Sequence, residues 1–479
     1  MTRILYWNIQ NFSCNAKNAE STTKLGKRLN FILNYIFGNL GNTPPDIICF
    51  VEGKGAAGDL GAFKVNGSLL GNANTIEALT AVLTLLQMTR RNESWCLVPP
   101  LCSGKGGKSE TTAVYYNSNK LIFTGPCAWG LNVNQQAIPL YINDANFPAP
   151  PAANPLTPYV AWALRGLPNK VSNITVPNSN PAVFFNENQL AAECVNGDYP
   201  GLSDRKPYRT TFTEINNLNG NRDLNIYTIH TSPASASGAM WNMLRARGVS
   251  STIPTNTVNI ILGDFNVDTV DDQSSTKKSV LESKVYKAFR DNKYTVQLWP
   301  GTDASNWETI KPYCMTHLLH GDSATPYNIA GQKNPSPRAN YYPRYGYMGS
   351  GSEKRLSDSG AIDNIMTKYA ADLQPPNNAA TNMTIINPIV GSPYNCINNP
   401  PNVPVNLTQG LAFPQYPAFS AIPPGQQQSL LPLPTPGYMG GIIDPQNGPN
   451  QIDPALTAFQ TAFKEIHDLS DHLPLIIDI

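Results

Sequence analysis

Two patterns that take turns along the chain predict an α/β fold. Short apolar runs, several of them rich in β-branched residues, occupy Arg3–Trp7, Asp46–Val51, Ala113–Tyr116 and Val258–Leu262, and they read as buried strands. Between strands, apolar residues recur at three- and four-residue steps. Leu25, Leu29, Leu33 and Ile36 do so, as do Ile76, Leu79, Leu83 and Leu86, which is the spacing of one-sided helices. A third observation gives the pattern its chemistry: the strands end in acids, amides and histidines.

The central instance is Val258-Asn259-Ile260-Ile261-Leu262-Gly263-Asp264-Phe265-Asn266. Gly263 is read as ending the strand so that the chain can turn. Alternation along extended backbone would then point Asp264 and Asn266 the same way, above the sheet edge. A carboxylate can bind a metal or orient a water, and an amide can donate to a phosphate oxygen. A plain turn is the competing explanation, since Gly, Asp and Asn dominate turns.

In chain order, a strand at Arg3–Trp7 delivers Asn8, and a helix is expected over about 21–37. The strand Asp46–Val51 delivers Glu52 after a turn at Gly41–Pro45. A second helix is expected with Asn74 as its cap and Glu77 at the capping-box position. Glu110 precedes the strand Ala113–Tyr116. Residues from about 126 to 200 are rich in Pro, Asn and Ala and read as a loop insertion. Tyr208–Ile215 and Leu224–Ile229 form an antiparallel pair joined at Asn219-Gly220, and the second strand ends in His230. Helices are expected around Ala239–Arg247 and Ser275–Arg290. Ile362–Met366 is a short strand holding Asp363. A second excursion spans about 371–452, and a helix capped by Asp453 carries Leu456, Phe459, Phe463 and Ile466. Ser470-Asp471-His472 then leads into a last strand, Leu473–Ile479.

Composition narrows the function classes. The 479 residues suit about three domains on length alone. Only 14% are charged, and 34 basic residues against 33 acidic give a formal net charge of +1, which argues against a broad basic coat for nucleic acid but not against a local groove. The 42 prolines and 35 glycines imply long irregular loops. No run has the length of a transmembrane helix, and the N-terminus enters a strand without an apolar signal region, so a cytoplasmic location or a signal-independent export route is expected. The eight cysteines form no C-x-x-C pair, which makes a zinc site of that type unexpected. Cys96 and Cys102 could pair across a Pro99-Pro100 bend, or the chain could be fully reduced.

Taken together, the strand exits WNIQNF, DIICFVE, IYTIHTSP, ILGDFNVD, AIDNIM and LSDHLPL resemble, in order and local context, the endonuclease/exonuclease/phosphatase superfamily. That is the fold of pancreatic-type deoxyribonucleases, abasic-site endonucleases, neutral sphingomyelinases and inositol polyphosphate phosphatases. The resemblance spans Asn8 to His472 but covers only the strands and their exits. It implies a four-layer sandwich of two packed mixed β-sheets flanked by helices. It also implies a single catalytic domain over 1–479, with insertions at about 126–200 and 371–452.

The resemblance and the chemistry of phosphodiester hydrolysis assign the same roles. Charge on the phosphoryl oxygens must be neutralised, a water aimed in line, and the leaving oxygen protonated. Glu52 would be the main ligand of Mg²⁺, for which Mn²⁺ or Ca²⁺ could substitute, with Asn8 and Asp471 completing or flanking the site. Asp264 would orient the water and Asn266 hold a phosphate oxygen. His472, oriented by Asp363, would be the general base. His230 would contact the phosphate or protonate the leaving group, with Glu110 as its carboxylate partner. Gln10 would join the phosphate or metal shell. His317, His320 and His467 are read as structural.

Nucleic acid, DNA in particular, is the favoured partner. The Arg/Tyr-rich run 338–355, with Arg338 and Arg344, offers guanidinium groups for phosphates and rings for bases, and Arg205 and Arg209 add basic groups before His230. A tyrosine-rich structural loop is the alternative for that run. A phospholipid phosphodiesterase acting at membranes is the second functional reading, resting on the Leu/Pro-rich stretch 411–436. Gly360-Ala361-Ile362-Asp363 stands where the phosphatase branch has Trp-Cys-Asp-Arg, which counts against an inositol-phosphate phosphatase. No protein partner is inferred.

Overall fold

The computed structural model describes residues 1–14, 25–29, 31–37, 44–55, 72–104, 109–126, 141–142, 174–175, 205, 207–215, 222–245, 247–250, 252–267, 284–298, 316–319, 344–345, 362–375, 383–386 and 469–479. Twelve strands build two sheets: β1 (Arg3–Phe12), β2 (Ile47–Lys54), β3 (Trp95–Ser103), β4 (Glu110–Asn117), β5 (Leu121–Pro126), β6 (Tyr208–Glu214), β7 (Asp223–His230), β8 (Thr257–Asp264), β9 (Thr295–Val296), β10 (Asp363–Tyr369), β11 (Met383–Ile385) and β12 (Leu475–Asp478). The first sheet is six-stranded in the order β11-β12-β1-β2-β4-β3, and the second is six-stranded in the order β9-β10-β8-β7-β6-β5. Both are mixed: β1 runs parallel to β2 and β7 parallel to β8, while the other pairings are antiparallel.

Alternation of side chains produces the layers. Along β7, Leu224 and Ile226 enter the core between the sheets, while Tyr227 and Ile229 face a separate apolar cluster with Met240, Met243, Val285 and Phe289. That outer cluster is covered by α2 (Ala236–Arg245) and α3 (Lys284–Asp291). On the other side, α1 (Ala73–Thr89) buries Ile76, Leu79, Val82, Leu83 and Leu86 against the first sheet. Tyr116 of the first sheet meets Phe212 and Phe123 of the second at ring-centroid distances of 5.2 and 6.0 Å, so aromatic packing holds the sheets face to face. The expected four layers are therefore observed. The two ends of the chain share a sheet, with Arg3 paired in register with Asp478.

Several expectations need correction. The α1 cap is Asn72, whose side chain accepts from Asn74 N, so Asn74 is already helical and Glu77 does not sit in a capping box. Where one helix is expected over about 21–37, residues 25–29 are α-helical and Phe31–Phe37 form a π-helix, with Phe31 against Trp7 at 5.4 Å. Pro99 and Pro100 make no bend between Cys96 and Cys102. Both prolines fall in β3, where a register shift between Val98 and Leu101 absorbs them on an edge strand. Cys96 and Cys102 are both buried and are not disulfide-bonded to each other. Met383–Ile385, inside the expected loop excursion, pairs with β12 as an edge strand, and Leu121–Pro126 is a strand that the sequence reading missed. The Asn219-Gly220 turn, the 411–436 stretch, His320, His467 and the helix capped by Asp453 lie outside the described residues.

Gly263 is corrected too. It does not turn the chain but lies within β8, paired with Ile229 and Asn364. A Cβ on Gly263 would sit 1.9 Å from the Ile229 carbonyl oxygen, a backbone atom fixed in the sheet. Gly263→Ala should therefore destabilise the protein by about 3 kcal/mol or more, as overpacking against an immovable neighbour does. Denaturant unfolding checks this; an unchanged midpoint would contradict the close approach.

Candidate functional site

Three adjacent strands of the second sheet end in one row. His230 pairs with Asp264, and Asp264 pairs with Asp363, across β7, β8 and β10. All three share the register that faces the inter-sheet core, because Ile226 and Leu262 before His230 and Asp264, and Ile365 after Asp363, are core residues. The first sheet supplies the partners from the facing side. Glu110 opens β4, Asn8 and Tyr6 lie on β1, and His472 precedes β12.

Two carboxylate–imidazole pairs result. His472 Nδ1 lies 2.7 Å from Asp363 Oδ2, and His230 Nδ1 lies 2.7 Å from Glu110 Oε2. Each pair joins one sheet to the other. With Nδ1 committed to a carboxylate, the Nε2 of each ring turns inward. Both reach Asp264 Oδ2, His230 Nε2 at 3.3 Å and His472 Nε2 at 3.6 Å. Asp264 is itself held fast: Oδ2 accepts from Asn8 Nδ2 at 3.1 Å, and Oδ1 accepts from Asn266 N at 2.9 Å.

The chain ends are tied together at this point. Ser470 Oγ donates to the Asn8 carbonyl at 2.6 Å and accepts from His472 N at 3.1 Å, while Trp7 Nε1 donates to the His472 carbonyl at 2.8 Å. Tyr6 Oη donates to Asp363 Oδ1 at 2.9 Å, so both oxygens of that carboxylate are engaged. Asn8 and His472, expected to converge from opposite ends of the chain, do so.

The electrostatics follow from burial. Asp264 is pushed up to about 6, chiefly by burial and against the pull of His230. Burial pushes the His230 imidazole down to about 4, assisted by the Arg205 guanidinium. Arg205 Nη1 lies 2.9 Å from His230 Nε2, and Arg205 also pairs with Glu110 Oε1. These contacts are mutually consistent for a neutral ring that donates through Nδ1 to Glu110 and accepts at Nε2 from Arg205. Burial raises Glu110, and Arg205 opposes that rise. His472 behaves differently. Burial alone would lower it, yet Asp363, Asp471 and Asp264 outweigh burial and hold it well above the ordinary histidine range.

The His230 state makes a stability prediction. Its folded value of about 4 lies below the usual 6.5, so its contribution is full above pH 6.5 and is lost as pH falls toward 4. Between pH 7 and pH 5 the wild type should lose about 2 kcal/mol more stability than His230→Gln, whose other facing groups (Glu110, Arg205, Asp264, Glu52 and His472) are unchanged. Parallel denaturation curves for the two proteins at both pH values would show that His230 is not held neutral.

Backbone strain gathers at the same edge. Gln10, Asn11, Glu52 and Asn266 all have positive φ, at 40°, 50°, 63° and 48°. Asparagine tolerates this region; Gln10 and Glu52 have no such excuse, and non-glycine residues held there cost on the order of 1–3 kcal/mol each. Register shifts between Asn8 and Phe12 and between Phe50 and Gly53 re-aim the exits of β1 and β2. Glu52 is raised by burial, with Glu110 and Asp471 adding to the rise and His230 and His472 opposing it. A desolvated carboxylate crowded by others is the donor chemistry that suits a hard divalent cation.

Not every expected residue lands where the sequence reading put it. Asn266 does not point with Asp264, because its φ of 48° breaks the alternation and its Nδ2 donates to the Thr231 carbonyl at 3.0 Å. Gln10 N donates to Asn8 Oδ1 at 3.1 Å, a buttressing contact for the Asn8 amide. Arg205 is at the site, but its guanidinium is engaged by Glu110 and His230. Arg209 is not at the site. It stacks 5.4 Å from the Tyr227 ring on the helix-covered face of the second sheet, since alternation on β6 turns it outward. Arg344 falls in a two-residue pairing with Leu319, its side chain outside the described residues, as is all of Arg338.

Two residues were missed. Arg28 is buried, and its guanidinium donates to the carbonyls of Leu469 at 2.6 Å and Gln10 at 2.7 Å, pinning both loops that flank the site. The available signal was a basic residue set between Leu25 and Leu29 on an apolar helix stripe. His317, read as structural, stacks on His472 with ring centroids 4.5 Å apart and planes at 24°, and its Nε2 lies 3.5 Å from Asp471 Oδ2.

The fold and site define an α/β two-sheet sandwich with paired acids and histidines gathered at one edge. Among solved structures the chain is similar to D. rerio TDP2 complexed with single-strand DNA product, at 9% identity over 81% of this chain and 88% of that one, TM-score 0.31. It is also similar to an endonuclease/exonuclease/phosphatase of Bacteroides vulgatus, at 10% identity over 77% and 87%, TM-score 0.31. A third is the Bacteroides thetaiotaomicron mannosyl-6-phosphatase, at 11% identity over 77% and 85%, TM-score 0.28. No protein-family model and no curated protein matches the chain. Among the described residues, no helix is long and apolar enough to cross a membrane.

Proposed function

We propose that the chain, read as one catalytic domain over 1–479, is a metal-dependent phosphodiester hydrolase, with DNA as the favoured substrate. The observation that carries this reading is the meeting of the two carboxylate-bound histidines at Asp264. Water attack on phosphorus needs a proton acceptor, a fixed carboxylate and donors for the phosphoryl oxygens within one small volume. Asp264, with both oxygens already anchored, orients the water. The P–O bond to the leaving oxygen breaks as the new one forms; the water's proton passes to His472 Nε2 when that ring is neutral, Asp363 holding Nδ1–H throughout, and the leaving oxygen takes its proton from solvent water. A neutral His230 has no Nε2 proton to give, so of its two expected roles the phosphate side is retained, with Arg205 as the donor there.

Glu52, Asn8 and Asp471 would hold the cation, Mg²⁺ in the first instance. Bound there, it would supply neutralising charge to the phosphoryl oxygens and draw off part of the Asp471 charge that helps keep a proton on His472.

Substrate class is tested by offering the full chain, with Mg²⁺, supercoiled plasmid, bis(p-nitrophenyl) phosphate, p-nitrophenyl phosphate and sphingomyelin vesicles. Nicking of the plasmid and cleavage of the diester are expected. Turnover confined to the monoester or to the vesicles would overturn the nuclease reading. The vesicle arm addresses the lipid alternative, which rests on 411–436 and has no support among the described residues.

A further inference from the structure

We propose that His317, Asp471 and His472 form a second cation site, one that takes a borderline transition metal such as Zn²⁺ or Co²⁺ rather than Mg²⁺. One ligand atom from each of the three lies within 4.8 Å of the others. The Asp471 carboxylate lies beside the stacked pair, against the Nε2 edge of each ring. Its Oδ2 is 3.5 Å from His317 Nε2, and its Oδ1 is 3.8 Å from His472 Nε2. Two imidazole nitrogens and one carboxylate make a donor set that favours Zn²⁺, Co²⁺ or Ni²⁺, whereas Mg²⁺ prefers oxygen throughout.

Preorganisation supports the assignment. His317 and His472 are neighbours in an antiparallel bridge, reinforced by Leu473 N donating to the Thr316 carbonyl at 2.8 Å. That backbone pairing holds the rings side by side. His472 Nδ1 is bound to Asp363, whose backbone N in turn donates to Thr316 Oγ1 at 3.1 Å. A carboxylate on the far nitrogen fixes the tautomer, aims Nε2 and raises its basicity, which is the usual arrangement behind a metal-bound histidine. Closing the donors onto one ion needs only side-chain rotations, since the ring pair and Asp471 share one short stretch and its bridge partner.

The site draws on Asp471 and on His472 Nε2, which the hydrolytic reading assigns to the Glu52 side and to proton acceptance, so Zn²⁺ bound here would inhibit hydrolysis; binding itself does not depend on hydrolysis. It is therefore tested without substrate. Apo protein titrated with Co²⁺ should develop visible d–d absorption saturating at one ion per chain, and Zn²⁺ should bleach it while excess Mg²⁺ leaves it in place. His317→Phe keeps a ring stacked on His472 but removes the ligand, so the band should be lost. His317→Gln is the second variant, and circular dichroism confirms that each is folded. Glu52→Gln should keep the band, which separates this site from the proposed Mg²⁺ position. Absence of the band in wild type, its persistence in folded His317→Phe or His317→Gln, or its displacement by Mg²⁺ would each overturn the proposal.

Discussion

Asp363→Ala and His472→Ala should each lower turnover by a factor on the order of 10²–10⁴, and the double variant should be little worse than the poorer single one. The reason is geometric. In the proposed mechanism Asp363 touches the reaction only through the ring it holds; its Oδ2 lies 2.7 Å from Nδ1 and its Oδ1 is occupied by Tyr6. Removing the carboxylate frees the ring to rotate and withdraws the charge that keeps it basic, so little of the histidine's contribution survives. Removing the histidine leaves the carboxylate with nothing to orient. Two residues that serve one proton transfer cannot have independent defects. Turnover on a chromogenic diester for the wild type, both single variants and the double variant gives the cycle directly. Multiplied defects would show that Asp363 acts elsewhere.

Much of this arrangement was legible in the sequence because it depends on strand exits. A buried strand fixes where its last side chain points, so a polar residue after an apolar run is a strong statement about position. His230 and Asp264 followed from that logic, and Asp363, read inside its strand, opens an antiparallel neighbour and completes a single row across three paired strands. The pairing of Glu110 with His230 needed only that β4 start at Glu110 rather than after it. Alternation failed where the backbone leaves the extended region, which is why Asn266 turns to Thr231 instead of standing beside Asp264.

What escaped the reading is contact made between loops. Arg28 reaches Leu469 from 441 positions away in the chain, and nothing in either segment announces the meeting. His317 looked isolated because its partners, Asp471 and His472, arrive from the far end of the chain through a backbone bridge. Arg209 erred the other way. Its proximity in sequence to His230's strand pair suggested the site, but one step of alternation sends it to the opposite face. Gly263 shows the same limit at the backbone level, since a turn signal and a close strand approach call for the same residue.

Dependence on a divalent cation held at Glu52 is the most direct test of the central claim. Glu52 is poised for that role by burial, by a strained φ of 63°, and by the crowding of Glu110 and Asp471. Glu52→Gln keeps the side chain's size and removes the charge that binds the ion. Lewis-acid stabilisation worth several kcal/mol would then be forfeited, a loss of about 10³ in rate or more. The protein should remain folded, since a half-buried carboxylate raised by desolvation loses little by becoming neutral. The decisive measurement is plasmid nicking by wild type with Mg²⁺, by wild type in EDTA, and by Glu52→Gln with Mg²⁺. Nicking in the first case alone is the predicted result; full activity in EDTA, or a Glu52→Gln protein as fast as wild type, would contradict the account.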